Sequence, residues 1–253
     1  MNIPLDLILG FGIGLSLGLI GGGGSILTVP ALVYLVGQSP QVAITTSLAI
    51  VGANSLAGIH FHQRAHNINW RVALLFGVVG MLAAYLVADL SAQIPPALLL
   101  TLFALLMILV AVRMLFTSEK SLNPVEKPAS LLLILTSGLG VGVLTGILGV
   151  GGGFVIVPAL VMLVGLPMSQ AVGTSLVIIA LNSLAGFIGH VSYAACDIPI
   201  LVIFAVGGVL GVLAGTRLCS QVSPKTLRLV FAVLVLCLAA YLLWDNLPKL
   251  SNL

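Results

Sequence analysis

The chain has 253 residues, of which 60% are hydrophobic and only 6% are charged, and its formal net charge is +3. A soluble domain averages about 25% charged residues, so nine basic and six acidic side chains cannot cover a water-exposed surface, and most of the surface must face the lipid bilayer. The composition therefore predicts a polytopic membrane protein, and the lack of a basic run or aromatic platform excludes binding to nucleic acid.

Residues 17–62 are repeated with small changes 128 positions later, as residues 145–190. The run GLIGGGGSILTVPALVYLVG at residues 18–37 matches GILGVGGGFVIVPALVMLVG at residues 146–165. About half of the aligned positions are identical, more than a shared bias toward apolar residues produces. The match resumes where GVVGMLAA at residues 77–84 aligns with GVLGVLAG at residues 208–215. In this alignment the expected offset between the copies grows from 128 to 131 residues.

Apolar stretches between polar breaks predict the same five segments in each half. In the first half they cover residues 3–20, 25–37, 41–62, 69–90 and 95–116, and in the second half 130–148, 154–165, 169–191, 197–218 and 225–244. The polar stretch TSEKSLNPVEKP separates the halves. We therefore expect a first transmembrane repeat at 1–116, a cytoplasmic linker at 117–128 and a second transmembrane repeat at 129–253.

The second segment of each half is too short to cross a bilayer. Residues 25–37 make about 20 Å of helix, against a hydrocarbon core of about 30 Å. A glycine run precedes this segment in each half, at residues 21–24 and 149–153, and can turn the chain. Each half is thus expected to be a Gly-broken re-entrant or bent helical hairpin followed by three transmembrane helices.

The charged residues predict how the segments are oriented. Eight of the nine basic residues fall at three connections between segments: after His62, around the central linker, and between the last two segments. The four aspartates fall at the opposite ends of the segments. Because cytoplasmic loops are enriched in Lys and Arg, the loop after His62 is predicted inside and the loop after His190 outside. The fold class is therefore an all-α polytopic membrane protein, with two inverted-topology repeats and both termini on the non-cytoplasmic side. Such repeats are an architecture of secondary transporters, with the solute site at the repeat interface.

The glycine turns are the first candidate site. The first N–H groups of a short helix carry the positive end of its dipole and can bind an anion without a basic side chain. Alternatively, the glycines only allow helices to pack closely. The candidate substrate-binding residues are Gly23, Gly24 and Ser25 in the first half and Gly151, Gly152 and Gly153 in the second.

A polar stripe on the next helix is the second candidate. Ser47 lies two turns before Asn54 on one helix face, as Ser175 does before Asn182. Hydroxyl and amide donors suit an oxyanion that must also be released, whereas hydrogen bonding between helices is the alternative role. The stripe comprises Thr46, Ser47, Asn54 and Ser55, repeated as Thr174, Ser175, Asn182 and Ser183.

The paired histidines His62 and His190 are candidates for proton coupling, because a proton-coupled carrier needs a group that titrates near neutrality. Both lie at helix ends, where a polar residue needs no function. The sequence contains no paired acid and base or metal-ligand motif of an enzyme, so neither catalysis nor a bound cofactor or metal is predicted.

The paired signatures GGGGSILTVPAL and GVGGGFVIVPAL, each followed by a T-S-L…N-S-L-A-G helix, resemble the TauE/SafE family of membrane transporters, also called the sulfite exporter family. The resemblance covers essentially the whole chain. It implies export of sulfur-containing anions such as sulfite, sulfoacetate and related organosulfonates across the bacterial inner membrane. The family's motifs fall on residues 21–25 with Pro30, on 149–153 with Pro158, and on Thr46, Ser47, Asn54, Thr174, Ser175 and Asn182.

The second copy departs from the first, since Gly153 replaces Ser25 and Val150 replaces Gly22, so the halves need not contribute equally. The leading hypothesis is a secondary transporter of a small anion with alternating access at the interface of the repeats. An anion channel on the same scaffold and a transporter of a different small organic anion are the alternatives. The solute and the bilayer are the expected partners, and assembly into a homo-oligomer is left open.

Overall fold

The computed structural model describes residues 3–91, 96–116, 130–148, 153–192, 195–219 and 223–250. The predicted linker at 117–128 and two candidate site residues, Gly151 and Gly152, lie outside these ranges. All regular structure within them is helical, and five helices are long and apolar enough to cross a membrane. The prediction of an all-helical membrane protein is confirmed.

Each helix begins within two residues of the start predicted from the sequence. A π-helical turn, Ala31–Leu35, extends α2 beyond Pro30. The first half contains α1 (Ile3–Ile20), α2 (Gly23–Pro30), α3 (Pro40–Arg64), α4 (Trp70–Ser91) and α5 (Pro96–Phe116). The second half contains α6 (Leu131–Leu148), α7 (Gly153–Met162), α8 (Met168–His190), α9 (Ile198–Cys219) and α10 (Pro224–Leu250).

The chain turns sharply between α1 and α2. Gly21 has a φ of 76°, which glycine adopts far more readily than other residues, and its N–H donates to the carbonyl oxygen of Leu17 at 2.7 Å. Gly24, in the first turn of α2, lies against Ile13 and Leu17 of α1, so α2 folds back along α1. The predicted helical hairpin of the first half is therefore present.

The long contacts between helices join the two halves, because α1 packs along α9 and α6 packs along α4. Small residues let the backbones approach, as packing in membranes favours. A β-carbon on Gly14 would overlap the backbone of Gly208, and one on Gly142 would overlap that of Gly80. Along α1 and α9 the contacts pair Gly10 with Phe204, Gly14 with Gly208 and Gly18 with Val212, and along α6 and α4 they pair Gly138 with Phe76, Gly142 with Gly80 and Gly146 with Ala84.

These contacts correct the predicted register of the repeat. Phe76 and Phe204 take the same place in the two sets of contacts, as do Gly80 and Gly208, and both pairs are separated by 128 residues. The predicted offset of 131 for this helix is wrong. Short apolar strings such as GVVG and GVLG match in more than one register, and the packing partner decides which register is used.

The helices α3 and α8 carry the largest buried shares of the five candidate spans and pack against each other. Gly58 lies against Leu176, and Gly186 lies against Leu48. Residue numbers rise along one helix as they fall along the other, so the pair is antiparallel. The two contacts are made by equivalent residues, since 128 positions separate Leu48 from Leu176 and Gly58 from Gly186.

Two aspartates accept side-chain hydrogen bonds from the segment before α3, at one end of the helices. Gln38 Nε2 donates to Asp197 Oδ2 at 3.2 Å, and the Tyr34 hydroxyl donates to Asp245 Oδ2 at 2.8 Å. The segments before α3 and before α9 therefore lie at the same end as the last turns of α10. Which side of the membrane this end faces stays a prediction from the charge pattern.

Candidate functional site

The starts of the two short helices meet in the protein core. Ser25, near the start of α2, is fully buried. Its Oγ lies 2.7 Å from the point where a β-carbon on Gly153, the first residue of α7, would stand. The Ser25 hydroxyl donates to the carbonyl oxygen of Gly22 at 2.8 Å, and no side chain at the N-cap position caps α2. The first N–H groups of α2, which begins at Gly23, therefore remain without a side-chain cap.

The glycine turn of the first half also touches the polar stripe of the second half. Ser175 Oγ lies 2.6 Å from the β-carbon position of Gly21. Ser175 donates its hydroxyl proton to the carbonyl oxygen of Val172 at 2.7 Å, and Ser47 donates to Ile44 in the same way at 2.8 Å. In this conformation both hydroxyls can only accept further hydrogen bonds. Each would have to rotate before it could donate to an oxyanion.

Thr46 and Thr174 hold the loops of the opposite half. Thr46 Oγ1 accepts a hydrogen bond from the N–H of Asp197 at 3.2 Å, and Thr174 Oγ1 accepts one from the N–H of Asn69 at 3.0 Å. Both threonines are fully buried. The geometry gives these two candidate residues a structural role, and a role in solute binding stays a prediction.

The loop residues that the threonines hold also start the next helices. Asn69 Oδ1 accepts from the N–H of Val72 at 3.1 Å, and Asp197 Oδ1 accepts from the N–H of Ile200 at 3.2 Å. These two residues are N-caps, and an Asn or Asp directly before a helix is the usual sequence signal for one. Burial raises the pKa of the neighbouring Cys196 thiol.

The amides of Asn54 and Asn182 are completely buried and make no hydrogen bond. Asn54 lies against Gly208 of α9, and Asn182 lies against Gly80 of α4. The structure thus places both amides at the glycine-lined contacts between helices. A buried amide left without a partner costs about 1–3 kcal/mol of stability. A role in helix packing alone does not explain why both amides are kept at this cost.

Ser55 and Ser183 extend this set of unpaired groups. Both hydroxyls are fully buried and have no hydrogen-bond partner. Ser183 faces Gly52 where α3 and α8 pack together. The polar stripe therefore divides into paired members, Thr46 and Ser47 with their equivalents, and unpaired members, which start at Asn54.

The two paired histidines differ in their surroundings. His62 is 5% exposed, and neither ring nitrogen makes a hydrogen bond of good geometry, although the Gly18 carbonyl faces the ring. His190 Nδ1 lies 2.8 Å from the carbonyl oxygen of Gly186 in its own helix. Any role of the pair in proton coupling is therefore expected to be unequal.

Comparison with known proteins agrees with the motifs. The family model described as Sulfite exporter TauE/SafE matches residues 7–242. A probable membrane transporter protein of Xylella fastidiosa (strain 9a5c) is 36% identical over 245 residues, covering 94% of each chain. A probable membrane transporter protein of Methanocaldococcus jannaschii is 28% identical over 257 residues, covering 95% of each chain. No solved structure gives a significant match to this chain.

Proposed function

Because this chain belongs to the sulfite exporter TauE/SafE family, we propose that it is a secondary transporter that exports small sulfur-containing anions such as sulfite or organosulfonates. The family resemblance read from the motifs is confirmed, and membership implies a membrane transporter rather than an enzyme. The solute, the direction and the transport mechanism belong to the proposal.

The observation that carries the proposal is the meeting of Ser25 and Gly153. Each helix start has N–H groups without intrahelical partners and about half of a positive charge. Among the buried polar side chains of the described residues there is no lysine or arginine. An anion at this place would thus be held by backbone dipoles and neutral donors. Such binding is weaker than an ion pair and allows release, as a transporter requires.

The way in which the halves pack supports an alternating mechanism. The Gly58–Leu176 and Gly186–Leu48 contacts are equivalent to each other and join antiparallel helices. A two-fold axis that relates such contacts runs perpendicular to the helices, which is in the membrane plane when α3 and α8 span it. This supports inverted-topology repeats that rock about one site. With the basic loops in the cytoplasm, both termini would lie outside the inner membrane.

The unpaired amides fit the same mechanism. Asn54 and Asn182 lack partners in the packed conformation, whereas a conformation that opened the α3–α9 or α4–α8 contact would expose them to water or solute. The cost of leaving an amide unpaired then favours opening, and a solute that pairs with it favours binding.

The proposal is tested by uptake of labelled sulfite, sulfoacetate and sulfate into proteoliposomes, with and without a pH gradient. Protein-free liposomes are the control. We expect saturable uptake of at least one anion, competition by the others, and counterflow from preloaded vesicles. Flux that neither saturates nor supports counterflow would assign the protein to the alternative, an anion channel. Lack of uptake of all three anions by folded protein would refute the proposed solute class.

A further inference from the structure

A cleft lined mainly by polar side chains opens where α3 ends and α4 begins. Its volume is about 540 Å³. Arg64, Trp70 and both histidines of the cleft are exposed, and none of its lining side chains is a carboxylate. The lining consists of His60, Gln63, Arg64, His66, Ile68 and Trp70. The cleft therefore offers a cation and several hydrogen-bond donors, with no acidic side chain to neutralise them.

His66 has a backbone conformation that glycine would adopt with less strain. Its φ is 54°, in the left-handed region, and it is the only residue other than glycine with a positive φ among the described residues. The N–H of His66 donates to Gln63 O and that of Asn67 donates to His62 O, both at 3.1 Å. This is the Schellman motif, whose left-handed residue is usually glycine. A side chain kept at a strained position points to a function, and here the imidazole lines the cleft.

The duplicated half has no counterpart to this chemistry. At the same register, Ile188 replaces His60, Val191 replaces Gln63, Ser192 replaces Arg64, and Ile198 replaces Trp70. The cationic cleft is therefore not a by-product of the repeated fold. It is a feature of the first half alone.

We propose that this cleft binds a phosphate group, carried by an anionic phospholipid. A guanidinium binds phosphate oxygens in a bidentate manner, and the histidine N–H groups add donors. Trp70 is exposed at a helix start, where tryptophan commonly marks the boundary between membrane and water. Its ring and Ile68 offer the apolar contact that a glycerol backbone and acyl chain need and that a free anion does not.

Trp70 provides a direct readout, because the chain has only two tryptophans. In a Trp244→Phe background, the fluorescence of Trp70 is quenched by brominated lipid that occupies the cleft. We expect brominated phosphatidylglycerol to quench at a mole fraction about tenfold lower than that of brominated phosphatidylcholine in the same detergent. Arg64→Gln should lower this preference by about tenfold, because the charge-assisted hydrogen bonds from the guanidinium to the phosphate are lost. Arg71→Gln makes the same charge change at an exposed residue outside the lining and should leave the preference intact.

His66→Gly is the second variant, and it relieves backbone strain, so misfolding would not explain its effect. We expect it to keep or raise thermal stability while the preference for phosphatidylglycerol falls. Unlabelled inorganic phosphate distinguishes the source of the ligand: no displacement of the lipid assigns the site to the headgroup, and displacement at millimolar phosphate assigns it to a free oxyanion. Equal quenching by both lipids in folded protein, or a preference unchanged in both Arg64→Gln and His66→Gly, would overturn the site.

Discussion

The hydroxyl oxygen of Ser25 lies 2.7 Å from the point where Gly153 would carry a β-carbon, and the two residues occupy equivalent positions of the duplicated sequence. Where equivalent positions of two copies meet, the space that one side chain fills is denied to the other. The departure of the second copy from the first, glycine in place of serine, is thus a consequence of packing. Of these two equivalent positions, only residue 25 carries a hydroxyl.

Replacing Gly153 by serine should destabilise the protein. The new side chain would overlap Ser25 Oγ and also approach Ile179, and overpacking of this kind costs about 1–3 kcal/mol. We expect a lower thermal unfolding temperature in detergent and reduced uptake. The double variant Ser25→Gly with Gly153→Ser should recover part of the lost stability, because it removes the overlap with Ser25 Oγ while the approach to Ile179 and to the Gly22 backbone remains.

The control for this pair is Gly140→Ser, since a β-carbon at Gly140 would meet no atom within 4 Å. That variant should unfold at the temperature of the parent protein. A double variant no more stable than Gly153→Ser alone would show that the contact between these two positions does not set the choice of residue.

Replacing the unpaired amides should have opposite effects on stability, which is kept or raised, and on transport, which is lost. Asn54→Leu and Asn182→Leu replace a buried group without a partner by an apolar group of similar shape. Removing such a group stabilises by about 1–3 kcal/mol, so the unfolding temperature should stay the same or rise. Uptake should be abolished with membrane expression intact, because the solute or water loses its amide contact. Normal uptake by both variants would remove the polar stripe from the proposed site.

Thr46→Val and Thr174→Val test a structural role. Each removes the acceptor for a backbone N–H, of Asp197 and of Asn69 respectively, at a cost of about 0.5–1.5 kcal/mol or more if the N–H stays unpaired. We expect lower thermal stability and an unchanged KM for the solute. Thr45→Val is the matched control, because Thr45 Oγ1 bonds only within its own helix, to Gln41 O at 3.2 Å. A large rise in KM with stability retained would instead place the threonines in contact with the solute, as the stripe predicts.

The local features of the fold follow from the sequence alone. The bounds of each apolar stretch predict where the helices lie. The glycine run before Ser25 predicts the turn, because glycine readily adopts the positive φ found at Gly21. The partner of each helix does not follow. Gly10, Gly14 and Gly18 mark a face for close packing, but nothing in their spacing says that this face meets α9.

The same limit applies to the site. The sequence predicts both Ser25 and Gly153 as substrate-binding residues, but their direct contact depends on how the two halves pack together. Thr46 and Asp197 are separated by 151 residues, and their hydrogen bond is visible only once α3 and α9 are placed side by side. A polar stripe read along one helix cannot tell which members are used up by such bonds and which, like Asn54, remain unpaired.

The unequal histidines give a prediction about coupling. His62 is 5% exposed and its ring makes no hydrogen bond of good geometry, although the Gly18 carbonyl faces it, whereas His190 Nδ1 is bonded to the carbonyl of Gly186. If a proton moves with the solute, His62 is the group free to take it up and release it as its surroundings change. His62→Gln should therefore abolish the difference between initial uptake rates measured with and without a pH gradient, and His190→Gln should retain it. His60→Gln, at an exposed position two residues before His62, is the control. A pH response that survives in His62→Gln, or is lost equally in both variants, would exclude His62 as the coupling residue.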